Sequence, residues 1–234
     1  MPYPVIALVS VTIFALVHLF AEKTRKLDRL TRGRFLSAGG GVAIAYVFID
    51  LLPKLAKSDL VVSQALQGVF PYFERHVYIM ALLGFLLFFV VGQSKTCLGR
   101  NSFWLSISSY AFFNFLVGYA VVDKNDPEVQ PLVLFTFAMA LHYFSNDFSL
   151  SSSHGREYGR AGKWLLVLSL FLGWLVGVFI TLPATGIALV SAFIAGGVIM
   201  NVIRHELPKE NPNSLSSFLI CAALYTFILL TIGK

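Results

Sequence analysis

Apolar residues run along the chain in eight long stretches broken by short polar ones: 2–20, 35–53, 76–93, 103–122, 131–149, 164–182, 186–203 and 214–232. Each supplies about 18–20 mostly apolar residues, the length of α-helix that crosses a hydrocarbon core roughly 30 Å thick. The pattern predicts an all-α, polytopic membrane protein of eight transmembrane helices. Such segments consume about 150 residues and leave about 80 for every loop and both ends. The chain therefore reads as one integral-membrane domain, 1–234, and a hidden nuclease, Rossmann enzyme or disordered regulator is excluded. Short connections predict that sequential helices pack as neighbours, with 54–75 the longest connection and room in it for a small interfacial helix.

Composition strengthens this reading. Of the 234 residues, 57% are hydrophobic and only 13% charged, with a mean hydropathy of +0.76, whereas a soluble domain carries about 25% charged residues. The net charge of +6 is informative through its distribution: 13 of the 18 Lys and Arg fall in alternate loops on one side, including Lys23, Arg25, Lys26, Arg29, Arg32 and Arg34 in the first. Positive-inside logic places those loops in the cytoplasm and both termini outside the plasma (inner) membrane. The basic run serves orientation, can touch anionic headgroups, and calls for no nucleic acid. Met1-Pro2-Tyr3-Pro4 lacks the basic start of a signal peptide, so the first helix is expected to be retained. Cys97 and Cys221 fall on the cytoplasmic side or in the membrane, where a disulfide is not expected.

An internal repeat emerges at an offset of 155 residues. Gly41, Ile44, Val47 and Leu52-Pro53-Lys54 align without gaps on Gly196, Ile199, Val202 and Leu207-Pro208-Lys209, six identities in fourteen columns. The second helix would run inside to outside and the seventh outside to inside, so the repeat is inverted. Helices 1–3 would mirror helices 6–8 around a central helix 4–5 pair, a recurrent design of secondary transporters. Small residues at 37–41 and 192–197 mark these two helices as closely packed.

Ionisable groups inside a bilayer are costly and mark pathways, partners or bound ions. His142 lies 11 residues past Pro131, roughly 16 Å along a helix and near the midplane. Ser145, Asn146 and Ser149 follow it at i+3, i+4 and i+7 and complete a polar stripe; Asp147, with Ser151 and His154, forms a second polar edge. An imidazole beside an amide oxygen and a carboxylate suits a borderline divalent cation such as zinc, iron(II) or manganese. Asn114, 11 residues into the fourth helix, is at matching depth and is the expected partner of His142. The candidate metal set is therefore His142, Asn146, Asp147 and Asn114. Asp50 near the outer end of the second helix is a candidate entrance; Asn201, His205 and Glu206 near the inner end of the seventh are a candidate exit, with Arg204 an available partner for Glu206. Packing between helices is the competing role for each of these polar groups. His18, near the inner end of the first helix, has no evident partner.

The stretch Phe35-Leu-Ser-Ala-Gly-Gly-Gly-Val-Ala-Ile-Ala-Tyr-Val-Phe-Ile-Asp50-Leu-Leu-Pro53 resembles the second helix of the ZIP family of divalent-metal transporters, which typically ends in His-Leu-Leu-Pro. The stretch Ala192–Pro208, with its Ala-Gly-Gly start and Glu-Leu-Pro end, is similar to that family's seventh. The resemblance is distant. It implies eight helices, outside termini and a metal path through the fourth and fifth helices near mid-bilayer. The sequence departs where the family carries His-Asn-x-x-Asp/Glu-Gly in helix 4 and His-Glu-x-Pro-His in helix 5, offering Asn114 and His142-Tyr-Phe-Ser-Asn146-Asp147 instead; Asp50 stands at a position often histidine.

The function expected from these readings is transport of a divalent cation between helices 4 and 5. The alternative is a ZIP-like membrane scaffold or metal sensor that does not transport. The expected partners are the bilayer, the cation and, through glycine rims, a second copy of the chain; no cofactor is obligatory. No His-Glu-x-x-His pair, nucleophile elbow or Ser-Lys arrangement points to an enzyme.

Overall fold

The computed structural model describes residues 3–21, 29–66, 75–98, 102–123, 128–207 and 212–232, with the backbone alone for 29–30, 94–98, 205–206 and 212–214. Among the described residues the fold is all-helical, with no strand. The helices are α1 (Tyr3–Phe20), α2 (Arg29–Tyr46), α3 (Leu52–Leu66), α4 (His76–Leu98), α5 (Ser102–Ala120), α6 (Val129–Glu157), α7 (Lys163–Phe179), α8 (Ala184–Asn201) and α9 (Pro212–Ile232). Each of the eight apolar stretches is thus helical, the fourth and fifth being α5 and α6. Lys23, Arg25, Lys26, Arg100, Lys124, Lys209 and Lys234 of the charge argument lie outside the described residues, as do the side chains of Arg29, Lys95 and Cys97.

Six helical stretches among the described residues are long and apolar enough to cross a membrane: Tyr3–Phe20, Thr31–Leu66, His76–Gln93, Val129–Phe179, Ala184–Arg204 and Leu215–Ile232. The difference from eight has two sources. Helix α5 carries Ser102, Ser106, Ser108, Ser109 and Asn114, which lower its apolarity. Helices α6 and α7 join through a π turn, Tyr158–Gly162, into one run of 51 residues, about 75 Å at 1.5 Å per residue. Its direction breaks at His154, where φ is −133°. No proline lies between Pro131 and Pro183, so every backbone N–H of the expected inner loop can remain hydrogen bonded.

Two prolines shape the other π turns. Proline lacks an N–H and its ring crowds the carbonyl four residues earlier. Ahead of Pro53 the helix widens at Val47–Leu51, where the Leu52 N–H reaches back to the Val47 carbonyl, and then continues as α3. Much of the expected 54–75 connection is therefore helix. Ahead of Pro208 the helix widens at Val202–Glu206, the Leu207 N–H bonds the Val202 carbonyl at 3.2 Å, and Leu207 turns extended, as a residue before proline prefers.

Neighbours in the bundle are mostly not sequential. The most extensive pairings are α2 with α9, α4 with α8, and α5 with α7. Close backbone approach explains them better than loop length. A side chain added at Gly41 would run into the Phe218 carbonyl and the Ala222 backbone of α9; one at Gly196 would run into Ala81 and Phe85 of α4. Without a Cβ these helices come within backbone contact, which is how helices associate in an apolar solvent. Gly118 and Gly173 play the same part between α5 and α7, a third close pair in addition to the two small-residue stretches.

Candidate functional site

Polarity in the bundle is turned inward. Val9, Leu16, Leu82, Leu168, Leu172 and Phe227 are exposed, whereas His18, Asn114, His142, Asn146, Asp147 and Asn201 are at most 3% exposed. An apolar exterior around a polar interior is the arrangement a bilayer selects.

Helix α6 connects two cavities. At one end a cavity of about 490 Å³ opens between the ends of several helices, lined by Tyr46, Lys54, Asp123, Glu128, Leu132 and Phe135 among others. At the other end a cavity of about 20 Å³ lies between Gly92, Ser106, Tyr110, Ser149 and Arg204. Phe135, His142 and Ser149 are spaced seven residues apart on one face, about 10 Å per step. His142 therefore stands midway between the cavities. Ser145 and Asn146 fall between His142 and Ser149; Ser145 Oγ and Asn146 Oδ1 are buried and have no hydrogen-bond partner among the described residues.

The second polar edge of α6 faces α1. His18 Nδ1 donates to Asp147 Oδ2 at 2.5 Å, and Asn114 Nδ2 donates to His18 Nε2 at 2.9 Å. Three helices are joined through one imidazole. The phenol ring of Tyr143, one turn before Asp147, lies 4.8 Å from that imidazole, and the Tyr158 hydroxyl donates to the His18 carbonyl at 3.3 Å. Asp147 Oδ1 and the Tyr143 hydroxyl are buried without a hydrogen-bond partner among the described residues.

The candidate residues therefore separate into groups. The structure links Asn114 to Asp147 through His18, so the expected pairing of Asn114 with His142 gives way to one with α1. His142 packs near the rings of Phe113 and Tyr143, with centroids 6.4 and 6.3 Å away. His18 is the functional candidate that sequence reading left without a role; its signal was an ionisable side chain on an otherwise apolar helix, whose partner one helix alone cannot reveal. Ser108 and Ser109 bond carbonyls of their own helix, at Trp104 and Leu105, and face away from the polar core.

At the candidate entrance Asp50 pairs with Lys54 at 2.9 Å, and Lys54 lines the large cavity. At the candidate exit Asn201 is buried and accepts the Tyr110 hydroxyl at 2.9 Å, a tie between α8 and α5. The side chains of His205 and Glu206 lie outside the described residues. Arg204 donates to the Gly92 carbonyl of α4 and closes the small cavity. Among the described residues no three His, Cys, Asp or Glu side chains form a ready-made metal cluster; the nitrogen and carboxylate donors present are supplemented by amide and hydroxyl oxygens. Comparison with protein-family models and with curated proteins finds no match.

Proposed function

We propose that the chain is a ZIP-like membrane transporter moving a divalent cation, zinc, iron(II) or manganese, between α5 and α6. The observation that carries this reading is the buried polar core of α6, where His142, Ser145 and Asn146 bridge the interval between a large cavity at one end and a small one at the other. A fixed polar lining at mid-depth replaces the water a cation sheds, at a place where unsatisfied oxygens would otherwise be costly. The large cavity is the outer vestibule and Arg204 closes the inner end.

The proposed architecture is eight spans with both termini outside, helices 1–3 mirrored by helices 6–8. Three features support the mirror. The π turns at Val47–Leu51 and Val202–Glu206 stand 155 residues apart, the offset of the sequence repeat. Gly41 and Gly196 share that offset, and each seats against two residues four apart, Phe218 and Ala222 or Ala81 and Phe85. The pairing of α2 with α9 has its counterpart in the pairing of α8 with α4.

The test is cation influx into proteoliposomes loaded with a metal-sensitive dye, comparing wild type with His142→Ala. Transport predicts that the variant slows influx about tenfold or more, the scale set by losing a group that supports a metal site. Unchanged influx in a folded His142→Ala protein would remove that residue from the path. Absence of influx for any cation in wild type would favour the scaffold or sensor.

A further inference from the structure

The geometry points to His18 Nε2 as a nitrogen ligand for the cation, with Asn114 as its oxygen co-ligand and Asp147 as the carboxylate that orients the imidazole. This deepens the divalent-cation reading and rests on it. It also brings α1 into a site that the sequence placed wholly on the fourth and fifth helices.

The proton arrangement carries the first part. Asp147 Oδ2 accepts from Nδ1, which fixes the tautomer with its proton on Nδ1 and a lone pair on Nε2. A metal-ligating histidine characteristically donates its other ring N–H to a carboxylate, which holds the ring and raises its basicity. The contact here is 2.5 Å between groups each 1% exposed, so the ring is held firmly in a setting where a carboxylate is expensive unless compensated.

The second part concerns what meets the lone pair. Asn114 Nδ2 caps Nε2 at 2.9 Å. Two donors on one tetrahedral ion with bonds of about 2.0–2.1 Å stand about 3.3 Å apart. A half-turn of the Asn114 amide would present its oxygen in place of the nitrogen, and a few tenths of an ångström of movement would bring the two donors to that separation. The exchange swaps one hydrogen bond for two metal–ligand bonds and moves no proton. Buried oxygens independently point to a guest: Asp147 Oδ1 and the Tyr143 hydroxyl have no hydrogen-bond partner among the described residues, and the Tyr143 ring adjoins the imidazole. An imidazole nitrogen beside an amide oxygen favours a borderline divalent cation over a soft monovalent one.

The experiment is titration of detergent-purified full-length protein with Co²⁺, read by the visible absorption of nitrogen-coordinated cobalt, alongside Co²⁺ influx from the same preparation. His18→Ala and His18→Gln are expected to abolish the absorption or weaken binding more than tenfold. Asp147→Asn, which preserves volume, is expected to weaken it about 10–100-fold, and carries the test if the His18 variants are not monodisperse. Ser109→Ala, whose hydroxyl bonds a carbonyl of its own helix away from the polar core, is expected to leave both the cobalt spectrum and influx unchanged. Wild-type influx with absorption indifferent to His18 and Asp147 would overturn the His18 assignment and leave transport standing. Conversely, His18-dependent absorption without influx would preserve this site and overturn transport.

Discussion

Asn201 accepts a hydrogen bond from Tyr110 with both side chains buried, and the pair probes how polar side chains act inside the bundle. Such a bond contributes about 0.5–1.5 kcal/mol net. Tyr110→Phe is expected to lower stability by about 1 kcal/mol, and Asn201→Ala by an amount that is not additive with it. Thermal unfolding of both single variants and the double variant in detergent checks this; additive losses would show that the two do not act as a pair. The burial of His142, Asn146, Asp147 and Asn114 was legible in the sequence because each is a polar residue within an apolar run. Their partners were not. Helical periodicity reports which residues share a face of one helix, and Asp147 indeed sits on a separate edge from His142, but nothing in that period says that His18, 129 positions away, faces it.

At the scale of elements, glycine sets which helices touch. Gly41→Val and Gly196→Val each place a branched side chain against a neighbouring backbone, and overpacking of this kind costs about 1–3 kcal/mol. Both are expected to lower the unfolding temperature and the monodisperse yield to similar degrees, as equivalent positions of a repeat would. A large loss for one and none for the other, measured by size-exclusion chromatography after a heat challenge, would contradict that equivalence. The eight helical stretches and the Gly-rich contacts could be read from hydropathy and composition. One boundary and one pairing could not. The apolar stretch ending at Leu-Pro-Lys was expected to close the second helix, yet the chain continues through the π turn at Val47–Leu51 and Pro53 into α3. The pairing of α5 with α7 through Gly118 and Gly173 also escaped notice, since isolated glycines carry less signal than a run of them.

At the scale of the whole molecule, the described residues enclose unequal space at the two ends of α6, about 490 Å³ at one and about 20 Å³ at the other. A cysteine at Ser58, which lines the large cavity, is expected to react with a membrane-impermeant thiol reagent added outside, whereas one at Ser151, fully buried beside Asp147, is expected to resist it. Equal labelling of both would deny that the vestibule ends above the polar core. Charge distribution gave the expected orientation, but the cavity is a property of six or more helix ends together and has no counterpart in any single stretch of sequence. The central claim, that a divalent cation crosses through this core, is tested most directly by the initial rate of zinc, iron(II), manganese and cobalt influx into wild-type proteoliposomes as a function of concentration. The account predicts a rate that saturates for at least one of them and exceeds that of protein-free vesicles. A rate that stays at the protein-free level for all four, from protein shown to be folded, would contradict it.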